Sequence, residues 1–155
     1  VRKRNFAVAA MTALALSGCA TGYRSINTPL LGYSGGYWEQ RGPGQLIKVG
    51  FSGNGFIDAA TVSDYLLYRC AEVAQREGST HFVLYENLPA AISDRRSSDR
   101  HVFNTFGKPD GHAYILLVPA DAPSALSVQE VLDRLGPKVK PDNKPATPAN
   151  RERAA

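Results

Sequence analysis

The chain opens with Val1-Arg2-Lys3-Arg4-Asn5, a basic stretch, and passes at once into an apolar run from Phe6 to Leu16. That run decides which residues are left to build a folded domain. Its 11 residues fall well short of the roughly 20 that a membrane-spanning helix needs. A basic region ahead of a short apolar one is the pattern of a secretion signal, removed from the mature protein. Residues 1–18 are therefore expected to leave, and the residues beyond Gly18 must supply the fold.

The apolar run ends in Leu16-Ser17-Gly18-Cys19. These residues resemble the lipobox of bacterial lipoproteins, in which the cysteine is acylated and becomes the first residue after cleavage. The resemblance implies a lipid attachment at Cys19, with Leu16, Ser17 and Gly18 as the box. The lipid would be a diacylglyceryl thioether plus an N-acyl chain, and no other cofactor is expected. Burial of acyl chains contributes about 0.8 kcal/mol per CH₂, so one chain holds marginally and two or more hold stably. Ala20 follows the cysteine. Where an Asp at that position retains lipoproteins in the inner membrane, Ala favours export. The expected location is the cell envelope, lipid-anchored on the outer membrane and facing the periplasm.

The charge balance changes meaning once the ends are set aside. The 155 residues carry 18 Lys and Arg against 14 Asp and Glu. Arg2, Lys3 and Arg4 lie in the signal, and five more cations lie beyond Gly136. Residues 19–136 keep ten basic and twelve acidic side chains, so the body gives no support to nucleic-acid binding. Cys70 is then the one thiol left, with no partner for an intramolecular disulfide. It falls on the buried side of a helix, where cysteine acts as a small hydrophobe.

Residues 19–35, rich in Gly, Ser, Thr and Tyr, read as a lipid anchor and tether. Two strands, Gly36–Gln40 and Gln45–Phe51, flank a turn at Arg41-Gly42-Pro43-Gly44. Ile47, Val49 and Phe51 share one face of the second, and Leu46, Lys48 and Gly50 the other. After Ser52-Gly53-Asn54-Gly55, the spacing of Val62, Tyr65, Leu66, Cys70 and Val73 predicts a helix over 60–77. Asp58 or Thr61 can cap it, Gly78 can end it, and Glu72–Arg76 forms an i,i+4 pair worth tenths of a kcal/mol. Thr80–Glu86 and His112–Val118 read as two further strands. Between them 25 residues, Asn87 to Gly111, show no strong period and read as a long loop. Ser127-Val128-Gln129-Glu130 is a capping-box sequence that opens a last helix, stopping at Gly136-Pro137. The expectation is an α+β domain over 36–136 in the order β-β-α-β-β-α. It would be a small mixed four-stranded sheet with helices on one face, followed by a disordered tail over 137–155.

Several of these pieces resemble a family. They are Gly35-Gly36-Tyr37, Val49-Gly50-Phe51-Ser52-Gly53-Asn54-Gly55, Val62 through Asp64-Tyr65-Leu66-Leu67-Tyr68-Arg69-Cys70-Ala71-Glu72, Gly78 through Val83, and the closing Val131 to Pro137. The family is a set of short proteobacterial lipoproteins to which no substrate or catalytic residue is attached. The resemblance implies compartment and fold, and adds no chemistry.

Chemistry is sparsely marked. His81, His101 and His112 lack the short His or Cys spacings of a zinc site, so no metal is expected. No Gly-x-Ser-x-Gly elbow surrounds any serine, and Asp58 and Asp64 fall on different helical faces. Arg95, Arg96, Arg100 and His101 are the candidate contacts for an anionic group, since guanidinium forks match carboxylates and phosphates. A solvated charged loop, with Asp94 and Asp99 as local partners, is the plainer reading. Tyr68 and Arg69 read as core rather than as an exposed patch. The functional expectation is a non-enzymatic binding or structural module, anchored to the membrane and contacting an envelope protein or an anionic envelope polymer. The alternative is an enzyme or enzyme accessory acting on envelope polymers through residues 87–111.

Overall fold

The computed structural model describes residues 20–28, 34–97 and 100–141. Leu16, Ser17, Gly18, Cys19, Asp99 and the residues from 142 onward lie outside the described residues.

Strands β1 (Gly36–Arg41) and β2 (Ile47–Ser52) pair antiparallel around a turn in which Gly44 adopts φ 59°. Helix α1 (Ala59–Arg76) begins at Asp58, whose carboxylate accepts from Thr61 N at 2.7 Å, and ends before Gly78 at φ 80°. β3 (His81–Tyr85) leads to a one-turn helix, α2 (Leu88–Ile92), capped by Asn87. β4 (His101–Thr105) and β5 (Lys108–Val118) form a second hairpin, and β6 (Leu126–Ser127) runs directly into α3 (Val128–Val139).

The fold is α+β, but the sheet has six strands rather than four. Its order is β1-β2-β5-β3-β6, with β4 on the same side of β5 as β3. All named strand pairs are antiparallel, so the expected mixed sheet is corrected. β2 and β3, the two strands joined through α1, do run in the same direction. β5 lies between them and opposes both. Nor do all helices share a face. Ile47, Val49, Phe51, Phe82, Leu84, Ala113 and Ile115 form the main core with α1 and α3, while Ala90 of α2 packs with Val83 and Tyr85 on the opposite side.

The long loop expected over 87–111 is a helix and a hairpin. Asn87 Oδ1 accepts from Ala90 N at 2.9 Å with a proline in the first turn, which makes a single turn of helix viable. The hairpin closes through Phe106 and Gly107 at φ 52° and 77°, the pair of positive φ values of a type I′ turn. Phenylalanine in place of the usual Asn or Asp conceals that turn in the sequence.

Both ends of the domain are packed more firmly than composition suggests. Residues 20–28 do not form a free tether. Thr21 is 1 % exposed, Ser25 bridges to Tyr37, and the Tyr23 ring sits among Tyr37, Tyr65 and Tyr68 at 5.0–5.5 Å. The Tyr23 hydroxyl donates to Glu72, which also accepts from Arg69 at 2.9 Å and Lys140 at 2.5 Å. The last helix passes Gly136-Pro137 and ends at Val139. Buried Val139 and the Lys140–Glu72 bond outweigh the local stop signal. With Glu72 so engaged, the expected Glu72–Arg76 pair is not made, and Arg76 bonds Glu39 and Glu77 instead. In the middle of α1, Cys70 is fully buried, and burial pushes its thiol up to about 12.

Glu72 therefore joins three elements: the entering chain, α1 and the end of α3. Burial would raise its pKa, but hydrogen bonds from Lys140, Tyr23 and Arg69 outweigh that and hold the carboxyl below its ordinary 4.5. A carboxyl depressed in the folded state adds stability above its unfolded pKa and loses it as pH falls through the folded one. Urea unfolding should show Tyr23→Phe destabilising by about 1 kcal/mol. Glu72→Gln should flatten the acid limb of stability below pH 4.5.

Candidate functional site

Alternation along four strands sends one set of side chains to the helices and the other to the opposite face. On β1, Tyr37 and Glu39 turn toward α1, where Glu39 bonds Arg69 and Arg76, so Trp38 and Gln40 turn away. Register then aligns Trp38, Gly50, His112 and His101 in one row across β1, β2, β5 and β4. Gln40, Lys48, Tyr114 and Tyr85 form the next row. Over the β3 end of the sheet this face is covered by α2 and Ala125. Over β1, β2, β4 and the first half of β5 no helix covers it, and Trp38, Lys48, His112 and Tyr114 are half-buried.

Gly50 makes that surface possible. A Cβ there would lie 2.2 Å from two atoms of the Trp38 ring, so only glycine lets the indole lie across β2. The indole N–H donates to Ser52 Oγ at 3.3 Å, which fixes the ring in that position. Lys48 Nζ stands 5.5 Å from the Trp38 centroid and 5.6 Å from that of Tyr114, held between two π faces. His112 lies 6.4 Å from Tyr114 and 5.9 Å from His101, and His101 lies 5.4 Å from Phe103. The strip is aromatic from end to end, with one ammonium at its centre. It can stack on the flat face of a ring and place a cation beside a carboxylate or phosphate.

The four residues singled out for anion contact do not converge. Arg96 bonds Asp94 at 2.9 Å and the Pro123 carbonyl at 2.6 Å. Arg95 is exposed. Arg100 turns to the helix side and donates to Ser63 Oγ at 2.7 Å. His101 alone joins the open face, where its Nδ1 donates to Glu86 at 3.1 Å. Arg100 instead meets Asp64, Arg134 and Lys138 around a cleft of about 440 Å³ between α1 and α3. There Lys138 bonds Asp64 at 3.4 Å, and Ser63 faces a guanidinium rather than a base that could activate it. Among the described residues no group of three or more His, Cys, Asp or Glu is placed to hold a metal. Tyr68 is 8 % exposed and belongs to the core, and Arg69 lies 4.0 Å over the Tyr37 ring.

The open strip is hidden in the sequence because its members are distant in the chain. A signal is present all the same: Trp38, Lys48, His112 and Tyr114 alternate with apolar residues, so large aromatics occupy the positions expected to face away from the core.

Two measurements test this geometry. Gly50→Ala should force the Trp38 ring off the sheet and shift the single tryptophan's emission to the red, at a cost of about 1–3 kcal/mol from overpacking. His112 is held below its ordinary 6.5 by burial first, then by the charges of Lys48 and His101. A histidine so depressed adds stability that is complete above pH 6.5 and declines as pH falls through the folded pKa. Lys48→Met should move the His112 titration upward in an NMR pH series.

Comparison of the chain with protein-family models, with curated proteins and with solved structures gives no match, so the functional reading rests on its own residues.

Proposed function

We propose that the chain is a membrane-anchored lipoprotein of the cell envelope that works as a non-enzymatic binding module. Leu16-Ser17-Gly18-Cys19 after a short apolar run supports the anchor, with acylation at Cys19. No helix among the described residues is long and apolar enough to cross a membrane. The observation that carries the binding role is the half-exposed strip of Trp38, Lys48, Tyr114 and His112, tilted aromatic rings around a cation. Its chemistry suits an envelope component that combines ring faces with anionic groups, such as a carboxylate-bearing glycan or an aromatic and acidic patch of an envelope protein.

The second reading is an enzyme accessory that holds an anionic envelope polymer in the cleft lined by Arg100, Arg134 and Lys138. It is favoured by three cations around one opening. It is disfavoured by Asp64 and Ser63, which already engage Lys138 and Arg100.

In-cell crosslinking of the anchored protein, with intact-mass analysis, tests the proposal. The expected result is an acylated Cys19 and one envelope component enriched from wild type. Enrichment should fall at least tenfold in Trp38→Ala and Lys48→Ala, a loss equivalent to about 1.4 kcal/mol, while Arg134→Ala retains it. Loss in Arg134→Ala with retention in Trp38→Ala moves the site to the cleft. A mature mass without lipid removes the anchor, and Cys19→Ala gives the control mass.

A further inference from the structure

We propose that the end of the sheet where the chain enters the domain lies on the membrane, with the Phe106 and Phe56 rings set into the lipid interface. The inference rests on the acylation of Cys19 proposed above and adds an orientation to it.

The first observation is the length of the leash. Thr21 is held in place, its hydroxyl donating to the Ser34 carbonyl at 2.5 Å and its N–H to Asn54 Oδ1 at 3.3 Å. Cys19 is two residues away, and an extended chain advances at most about 3.6 Å per residue. The lipid must therefore attach within about 7 Å of Thr21. A domain on so short a leash cannot tumble freely above its membrane. The surface around Thr21 is brought against the headgroups whether or not it is suited to them.

That surface is suited to them. The Asn54 Oδ1 that holds Thr21 also accepts from Phe56 N at 3.0 Å, which places the two backbones within the span of two hydrogen bonds. The Phe56 side chain is 73 % exposed. Beside this loop stands the tip of the β4–β5 hairpin, where a Cβ on Gly55 would lie 3.7 Å from the Gly107 carbonyl. At the tip, Phe106 is 100 % exposed, and it shares a cleft of about 450 Å³ with Gly35 and Ile26 of the entering segment. Two of the four large exposed apolar side chains among the described residues thus stand beside the point where the lipid joins.

Phe106 carries a cost that no contact among the described residues offsets. Its φ of 52° lies in the left-handed region, where a bulky side chain is strained and Asn or Asp is favoured. No described residue buries its side chain. A residue that is costly in backbone and in hydration, and that no described residue covers, points to a contact beyond them. Lys108 and Asp110 line the same cleft with opposite charges, so the contact is apolar insertion rather than attraction to anionic lipid. Insertion of this kind supplies a second membrane signal beside the acyl chains.

The test uses the full lipidated chain, purified from bacterial membranes, with Trp38→Phe as background so that one introduced indole reports. Phe106→Trp probes the proposed surface, and Gln45→Trp probes the β1–β2 turn at the opposite end of the sheet. Intact mass and a thermal melt come first, and the proteins are then placed in phosphatidylcholine vesicles containing acyl-brominated phosphatidylcholine. The expected result is blue-shifted emission, quenched by the brominated lipid, for Phe106→Trp, and unquenched water-like emission for Gln45→Trp. Addition of salt should leave the quenching unchanged. Acylated protein with no quenching at Phe106→Trp overturns the orientation and leaves the lipoprotein reading standing. A blue shift without quenching means that protein, such as a second copy of this chain, covers the ring, and this also overturns it. Absence of lipid on Cys19 overturns both readings.

Discussion

β5 is paired on both edges, to β2 over residues 110–115 on one side and to β4 and β3 in succession on the other. A strand in that position has no freedom of register, because a slip of one residue would turn Ala113 and Ile115 out of the core. The rest of the sheet inherits this register. Gly111 lets Val102 and Leu66 close over the strand from two directions, since a Cβ there would lie 3.2 and 3.3 Å from their methyl groups. The backbone carbonyl of Pro109 receives the N–H of Gly53, which ties the loop before α1 to the β4–β5 hairpin. Both proposed contact surfaces are thereby built on one strand: the aromatic strip on its His112–Tyr114 portion and the lipid-facing end at its start.

A second constraint acts at the helical layer. The entering chain is held less by backbone pairing than by Tyr23, whose ring lies among three other tyrosines and whose hydroxyl reaches Glu72. Burial, then the hydrogen bond to Glu72 and its charge, push that hydroxyl above its ordinary range. Lys140 closes the same group from the far end of the domain, 5.5 Å from the Tyr23 ring and 5.3 Å from Tyr68. The first and last described segments are therefore fastened to each other through one carboxylate. Position, rather than chemistry, is what this cluster controls.

Much of the framework is readable from local pattern. β1, β2, α1 and β3 fall within a few residues of expectation because each is bounded by its own turn or cap, as Asp58 and Gly78 bound α1. The elements that escape local pattern depend on partners distant in sequence. α2 is a single turn, too short for any period to show. β4 lies beside only half of β5, and its alternation of His101, Phe103 and Thr105 with Val102 and Asn104 carries little apolar contrast. Gly136-Pro137 is a sound local stop that tertiary contacts at Val139 and Lys140 override. The candidate site is the least legible part. Arg95, Arg96, Arg100 and His101 are neighbours in sequence, yet Asp94 at φ 45° and the start of β4 turn them toward different surroundings. Trp38 and His112 are remote in sequence and lie in one row only because β2 and β5 are adjacent.

Cys70, in the middle of α1, gives the fold an unusual relation to time. No local fraying reaches it, since the turns on either side carry Leu66 and Val73, both as fully enclosed as the thiol itself. Oxidants and electrophiles act on the thiolate, and burial withholds that form while the helix is in place. Attack therefore requires an opening that uncovers the core side of α1. The exposure of this cysteine is then limited by how often the domain opens, whatever oxidant surrounds it. A newly made chain is exposed to that chemistry for the interval before α1 docks on the sheet, and afterwards only for the rare moments when it reopens.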